Sequence, residues 1–124
     1  MSDAEILRAA VRDVPDFPKT GIIFKDITPI LSDGQLFQTS IRLLADTAQG
    51  AVIDKVVGID ARGFIFAAAV ADRLRAGFIP IRKKGKLPWK TREASYTLEY
   101  GESTVEIHED AVQPGEKVLL IDDL

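Results

Sequence analysis

Apolar positions along the chain fall into two different rhythms. Over the first third they recur at helical spacing. Ser2 and Glu5 fit a capping box, and Ile6, Leu7, Ala10, Val11 and Val14 follow on one face, which predicts a helix over 3–13. Pro15 and Pro18 end it, and Thr20-Gly21 completes a loop. Residues 22–31, IIFKDITPIL, are apolar and β-branched, but Pro29 breaks a strand late in the segment. Asp33 is placed to cap a second helix with Leu36, Phe37, Ile41, Leu44, Ala45 and Ala48 as its stripe and Gly50 as its end.

From residue 55 the rhythm becomes that of alternating strands and helices. KVVGI (55–59) reads as a short buried strand, DARG as a loop, 64–75 as a helix of small residues and FIPIR (78–82) as the next strand. Together they make one βαβ unit with a right-handed crossover. KKGKLPWK (83–90) is a basic loop. Tyr96, Leu98 and Tyr100 alternate with Ser95, Thr97 and Glu99, Gly101 punctuates, and 104–108 alternates again, so a β-hairpin is predicted. After the Pro114-Gly115 turn, KVLLI (117–121) reads as a buried parallel strand that delivers Asp122 and Asp123 at its end. The fold class is therefore α/β, Rossmann-like, with a mainly parallel sheet and flanking helices in a single domain, 1–124.

Composition narrows the partners. At 124 residues, 46% hydrophobic and 28% charged, the chain is of ordinary globular type. Its net charge of -3 gives no general pull toward nucleic acid or an anionic membrane, so neither is expected as a partner. The acidic N-terminus has no apolar core of a signal peptide, and no apolar run approaches a membrane span. Zero cysteines remove disulfides and thiolate metal sites, and a reducing cytoplasm is the natural compartment.

Open α/β sheets bind ligands beyond the carboxyl ends of their strands. Three loops lie there: Asp60-Ala61-Arg62-Gly63, the basic loop with Arg82, Lys83 and Lys86, and Asp122-Asp123. Cations in two loops and a carboxylate pair in the third suit a ligand with both phosphates and sugar hydroxyls, because guanidinium matches phosphate oxygens and carboxylates accept from vicinal hydroxyls. Gly63 lets backbone approach an anion at a helix start. Each feature has a plainer reading: an Arg-Gly turn, a solvated basic loop, surface aspartates, and Phe24 as core. His108, the only histidine, is expected on a solvated strand face and makes no metal site. Trp89 suits either a lid contact or an interface anchor. The GxxxxGK[ST], GxGxxG and GxSxG patterns are absent.

Taken together, DFPKTGIIFKDITPIL, GIDARGFIFAAAVA, IRKKGKLPWK, SYTLEYG and VLLIDDL resemble, in order and spacing, the adenine phosphoribosyltransferases. The resemblance covers essentially the whole chain. It implies a type I phosphoribosyltransferase fold with an N-terminal hood within 1–35, and transfer of phosphoribosyl from 5-phosphoribosyl pyrophosphate to adenine, giving AMP and pyrophosphate. It implies that Ile23, Phe24 and Lys25 hold the purine, with Phe24 stacking. Asp60, Ala61, Arg62 and Gly63 match the pyrophosphate loop, which in this superfamily often contains a non-proline cis peptide. Arg82, Lys83 and Lys86 match the mobile catalytic loop. Glu99 and Tyr100 match its return, with Glu99 catalytic near the base, and Asp122 and Asp123 match the acidic pair on the ribose hydroxyls. Mg²⁺ is implied, held mainly through substrate oxygens and water, and a homodimer in cytoplasmic purine salvage is the implied setting.

Family members continue past the paired aspartates into a phosphate-binding segment like LATGGT, whereas this sequence ends at Leu124. The resemblance therefore implies a domain incomplete at its C-terminus, an exposed apolar edge on the last strand, and little or no turnover by this chain alone. Ala67 stands where relatives often carry Gly. The competing readings are a phosphoribosyltransferase for another purine such as xanthine, and a non-catalytic nucleotide-sensing or oligomerising module.

Overall fold

The first helix begins at its side-chain cap and ends three residues earlier than its periodicity predicts. In the computed structural model, which describes residues 1–98 and 101–123, α1 spans Asp3–Ala10, and the Glu5 amide donates to Ser2 Oγ at 3.2 Å. Val11 is already extended (φ -67, ψ 129), and residues 12–15 form β1 (Arg12–Pro15) rather than helix. β1 pairs antiparallel with β2 (Ile23–Asp26), Arg12 opposite Asp26 and Pro15 opposite Ile23. Lys25 Nζ meets Asp13 Oδ1 at 2.6 Å directly across the ribbon. The connecting loop holds a cis Phe17–Pro18 bond and closes through the Phe17 amide on the Ile22 carbonyl at 3.1 Å.

Pro29 excludes a strand here as expected, but the segment around it is helical. It sits in the first turn of α2 (Thr28–Leu31), where its missing N–H removes no helical bond. Asp33 caps α3 (Gly34–Asp46) through Oδ1, which accepts from the Gln35 and Leu36 amides, both at 3.0 Å. Arg42 of α3 pairs with Asp3 of α1, and Ile27, Ile30, Ile41 and Ala45 are buried. These elements form one compact unit, Met1–Thr47.

The second unit, Ala48–Leu124, is built on a five-stranded sheet. Its elements are β3 (Lys55–Ile59), α4 (Arg62–Leu74), β4 (Gly77–Lys83), β5 (Thr91–Leu98), β6 (Gly101–His108) and β7 (Val118–Ile121), in the spatial order β5-β6-β4-β3-β7. β3 is parallel to both β4 and β7, and the β5–β6 hairpin joins β4 antiparallel through Arg82–Glu106 and Lys83–Val105. The sheet is thus mixed: parallel at its core, antiparallel where the hairpin extends it. Val56 and Val70 are fully enclosed between β3 and α4. A Cβ at Gly58 would stand 2.6 Å from the Ala67 Cβ, so the glycine is what admits α4 this close to β3. The methyl of Ala67 fills that space and is itself wholly buried.

β7 is parallel as predicted but not buried throughout. It is an edge strand with β3 as its sole partner among the described residues, and Val118 and Leu120 are 42% and 59% exposed while Ile121 is 4%. No helix among the described residues is long and apolar enough to cross a membrane.

Candidate active site

Because β3, β4 and β7 run parallel, their carboxyl ends open on one edge. Ile59 lies opposite Ile81, and Gly58 opposite Ile121, so the residues after each strand emerge side by side. Asp60 is anchored by its amide on the Ile81 carbonyl at 3.0 Å, and the Asp60–Ala61 bond is cis. α4 then begins at Arg62, two residues earlier than its small-residue pattern indicates, with no side chain capping its first turn.

The charged groups of this edge are paired across neighbouring loops. Arg62 Nε lies 2.8 Å from Asp123 Oδ2, an ion pair whose carboxylate is only 10% exposed. Arg82 Nε lies 3.3 Å from Asp60 Oδ2, and Arg82 Nη1 donates to the Lys86 carbonyl at 3.4 Å. Lys83 and Lys86 are exposed, and among the described residues neither makes a side-chain ion pair. Asp122 accepts the Asp123 amide on Oδ1 at 2.8 Å. Burial, together with the neighbouring Asp123 carboxylate, raises the Asp122 carboxyl above its ordinary value, against the pull of that amide and of Arg62. Gly63 is buried, and a Cβ there would come within 3.0 Å of Asp122 Oδ1. Its lack of a side chain therefore serves the close packing of the α4 start on the end of β7.

The structure thus gathers Asp60, Ala61, Arg62, Gly63, Arg82, Lys83, Lys86, Asp122 and Asp123 on one edge. Glu99 and Tyr100 lie outside the described residues. Ile23, Phe24 and Lys25 belong to the first unit. There Phe24 is half-buried and meets Phe17 edge-to-face at a centroid distance of 5.2 Å. Val14, Phe17, Phe24 and Asp26 line a cavity of about 240 Å³. Ile23 is 61% exposed, and Lys25 is engaged by Asp13.

Sequence reasoning did not single out Phe17, Val14 or Asp26, which reach this cavity only through the β1–β2 pairing. His108 departs from expectation: its Nε2 is buried without a partner among the described residues, so its strand face is packed rather than solvated. It borders a larger cavity, about 540 Å³, where β6 leaves the sheet, away from the edge that collects the charges.

A parallel sheet that sets a cation-bearing helix start, a basic loop and a carboxylate pair on one edge defines a protein built for a phosphorylated, hydroxyl-rich ligand. Residues 27–124 match the phosphoribosyl transferase domain. An adenine phosphoribosyltransferase of Symbiobacterium thermophilum is 59% identical over 117 residues, which are 94% of this chain and 69% of the relative. One from Acidothermus cellulolyticus is 54% identical over 120 residues, covering 97% and 68%. The crystal structure of the Rhodothermus marinus adenine phosphoribosyltransferase matches with a TM-score of 0.90 at 52% identity, over 98% of this chain and 69% of that one. The Saccharomyces cerevisiae enzyme, crystallised with an imino-altritol bisphosphate and adenine, matches with a TM-score of 0.87 at 38% identity, over 95% and 69%. The chain belongs to the phosphoribosyl transferase family, within its adenine phosphoribosyltransferase branch.

Proposed function

We infer that this chain carries adenine phosphoribosyltransferase chemistry: adenine and 5-phosphoribosyl pyrophosphate give AMP and pyrophosphate. The observation that supports it best is the Arg62–Asp123 pair, 2.8 Å apart. A guanidinium suited to the leaving pyrophosphate stands against the acidic pair suited to the ribose hydroxyls. Such adjacency is what a bond between sugar carbon and pyrophosphate oxygen requires.

As that bond breaks, negative charge grows on pyrophosphate and the sugar becomes oxocarbenium-like, so catalysis is mainly positioning and charge stabilisation. Arg62 turns its guanidinium to the departing oxygens, with Asp123 keeping it aimed. The α4 amides at Arg62 and Gly63 add donors beside it. Lys83 and Lys86, exposed on the basic loop, add point charge, and Arg82 ties that loop to Asp60. Asp122 and Asp123 accept from the ribose hydroxyls. Phe24 offers its ring to the purine, an interaction worth about 1–3 kcal/mol in nucleic-acid systems, beside Ile23 and Lys25. Glu99, with Tyr100 next to it, assists proton movement on adenine.

Mg²⁺ fits this edge in a limited way. Asp122 and Asp123 supply hard oxygen donors, one already shared with Arg62, so the ion would be held largely by substrate oxygens and water. When bound it neutralises charge on the pyrophosphate. The same reading carries purine salvage, a cytoplasmic setting and a homodimeric assembly with it.

Base preference tests the reading. Adenine, hypoxanthine and xanthine are titrated into the chain with pyrophosphate and Mg²⁺, and the same bases are then assayed with phosphoribosyl pyrophosphate for nucleotide formation. Adenine is expected to bind tightest and to be the base converted. Preference for xanthine would move the chain to another purine, and no binding of any base would favour a non-catalytic module.

A further inference from the structure

Glu106 lies in the middle of the sheet's antiparallel part, opposite Arg82 of β4 on one side and opposite Glu93 of β5 on the other. Residues directly opposite across a sheet share a face, so these three side chains form a row. Both neighbours are engaged elsewhere: Arg82 with Asp60, and Glu93 with Lys84 Nζ at 3.4 Å. Glu106 instead turns its two oxygens to the ends of the basic loop. Oε1 accepts the Gly85 amide at 2.6 Å, and Oε2 accepts the Thr91 hydroxyl. Gly85 forms the loop's first turn at φ +88, and Thr91 is the first residue of β5. One carboxylate therefore holds the strand exit and the strand return together, while Arg82 Nη1 holds the Lys86 carbonyl between them. Bonds to an ionised acceptor are the stronger kind, and both oxygens of this acid are occupied on the protein rather than turned toward an incoming anion.

We propose that Glu106 is a positioning residue, which by holding both ends of the basic loop fixes where the Lys83 and Lys86 ammonium groups are presented to pyrophosphate. The proposal rests on the pyrophosphate reading of that loop. The Thr91 hydroxyl first, then the Gly85 amide, also lower the Glu106 carboxyl below its ordinary value, with Lys84 adding to the pull, so the carboxylate form persists where the loop must work.

The test pairs a local signal with a binding constant on the 124-residue chain. In the unmodified protein the Gly85 amide resonance should lie downfield and follow the titration of Glu106. In Glu106→Gln that titration should vanish, and pyrophosphate binding with Mg²⁺ should weaken about tenfold, the effect of losing one hydrogen bond to a charged group. Thr91→Val should shift both readouts the same way and Thr91→Ser should restore them; this pair carries the test if Glu106→Gln fails to fold. A Gly85 signal indifferent to Glu106, or equal pyrophosphate affinity with and without the carboxylate, overturns the proposal. Failure of the unmodified chain to bind pyrophosphate overturns it too, by removing the reading beneath it, and is told apart because the unmodified chain itself is then silent.

Discussion

The two units use their apolar residues in opposite ways. In the second, Val56, Val57, Phe66, Ala67, Val70 and Ala71 are buried between sheet and helix, and the polar groups of interest sit at strand ends. In the first, Phe17, Ile22 and Ile23 are 50%, 41% and 61% exposed around a two-stranded ribbon whose cross-strand pairs are charged. A buried parallel core fixes where charges stand, which is what pyrophosphate and ribose recognition needs. An exposed apolar ribbon offers its own surface, which is what a flat purine needs. Substitutions in the second unit should therefore act first on stability and those in the first on ligand.

The largest effect on this contrast is expected at Gly58. Gly58→Ala forces a methyl onto Ala67 and should cost about 1–3 kcal/mol in urea unfolding, the usual penalty of overpacking. Most of that loss should return in the double variant Gly58→Ala with Ala67→Gly, because the two positions compete for one space. Ile23→Ala in the first unit should stay within about 0.5 kcal/mol, as exposed positions do, while weakening adenine binding. Equal stability losses at Gly58 and Ile23 would erase the contrast.

A smaller effect sharpens it through pH. Burial and the neighbouring Asp123 carboxylate raise the Asp122 carboxyl, so the folded chain holds this proton more tightly than the unfolded chain does. The associated stability is present below the ordinary carboxylate value of 3.8 and is lost as pH rises through the raised folded value. Asp122→Asn should therefore gain stability relative to the unmodified chain on going from acid to neutral pH. A difference that stays flat across that range would show that Asp122 is not held in this way.

Much of this architecture was legible in the residues. The Ser2 and Asp33 caps, the βαβ unit, the hairpin and the delivery of two aspartates at a strand end all arise from local patterns. The illegible parts depended on partners far along the chain. Residues 11–15 carry apolar spacing compatible with helix, and only pairing with residues 23–26 makes them a strand. TPIL reads as an interrupted strand because Pro29 is ambiguous between breaker and helix starter. KVLLI reads as buried, but its position at the sheet edge leaves Val118 and Leu120 exposed. At the site, the three loops could be placed on one edge from topology alone. The pairings Arg62–Asp123 and Arg82–Asp60, and the hold of Glu106 on Gly85 and Thr91, required side-chain geometry. In the sequence Glu106 is one acid in a charged alternation, and nothing local distinguishes it from Glu102.

The central claim is that the edge formed by β3, β4 and β7 binds the pyrophosphate end of the substrate through Arg62. Calorimetric titration of pyrophosphate with Mg²⁺ into the unmodified chain and into Arg62→Ala tests it most directly, with urea unfolding run on both. The account predicts binding weaker by about tenfold to a hundredfold in Arg62→Ala, the range for one charged hydrogen-bond donor, with stability changed by less than about 1 kcal/mol. Equal affinity in the two proteins would contradict it and would move the anion site away from this edge.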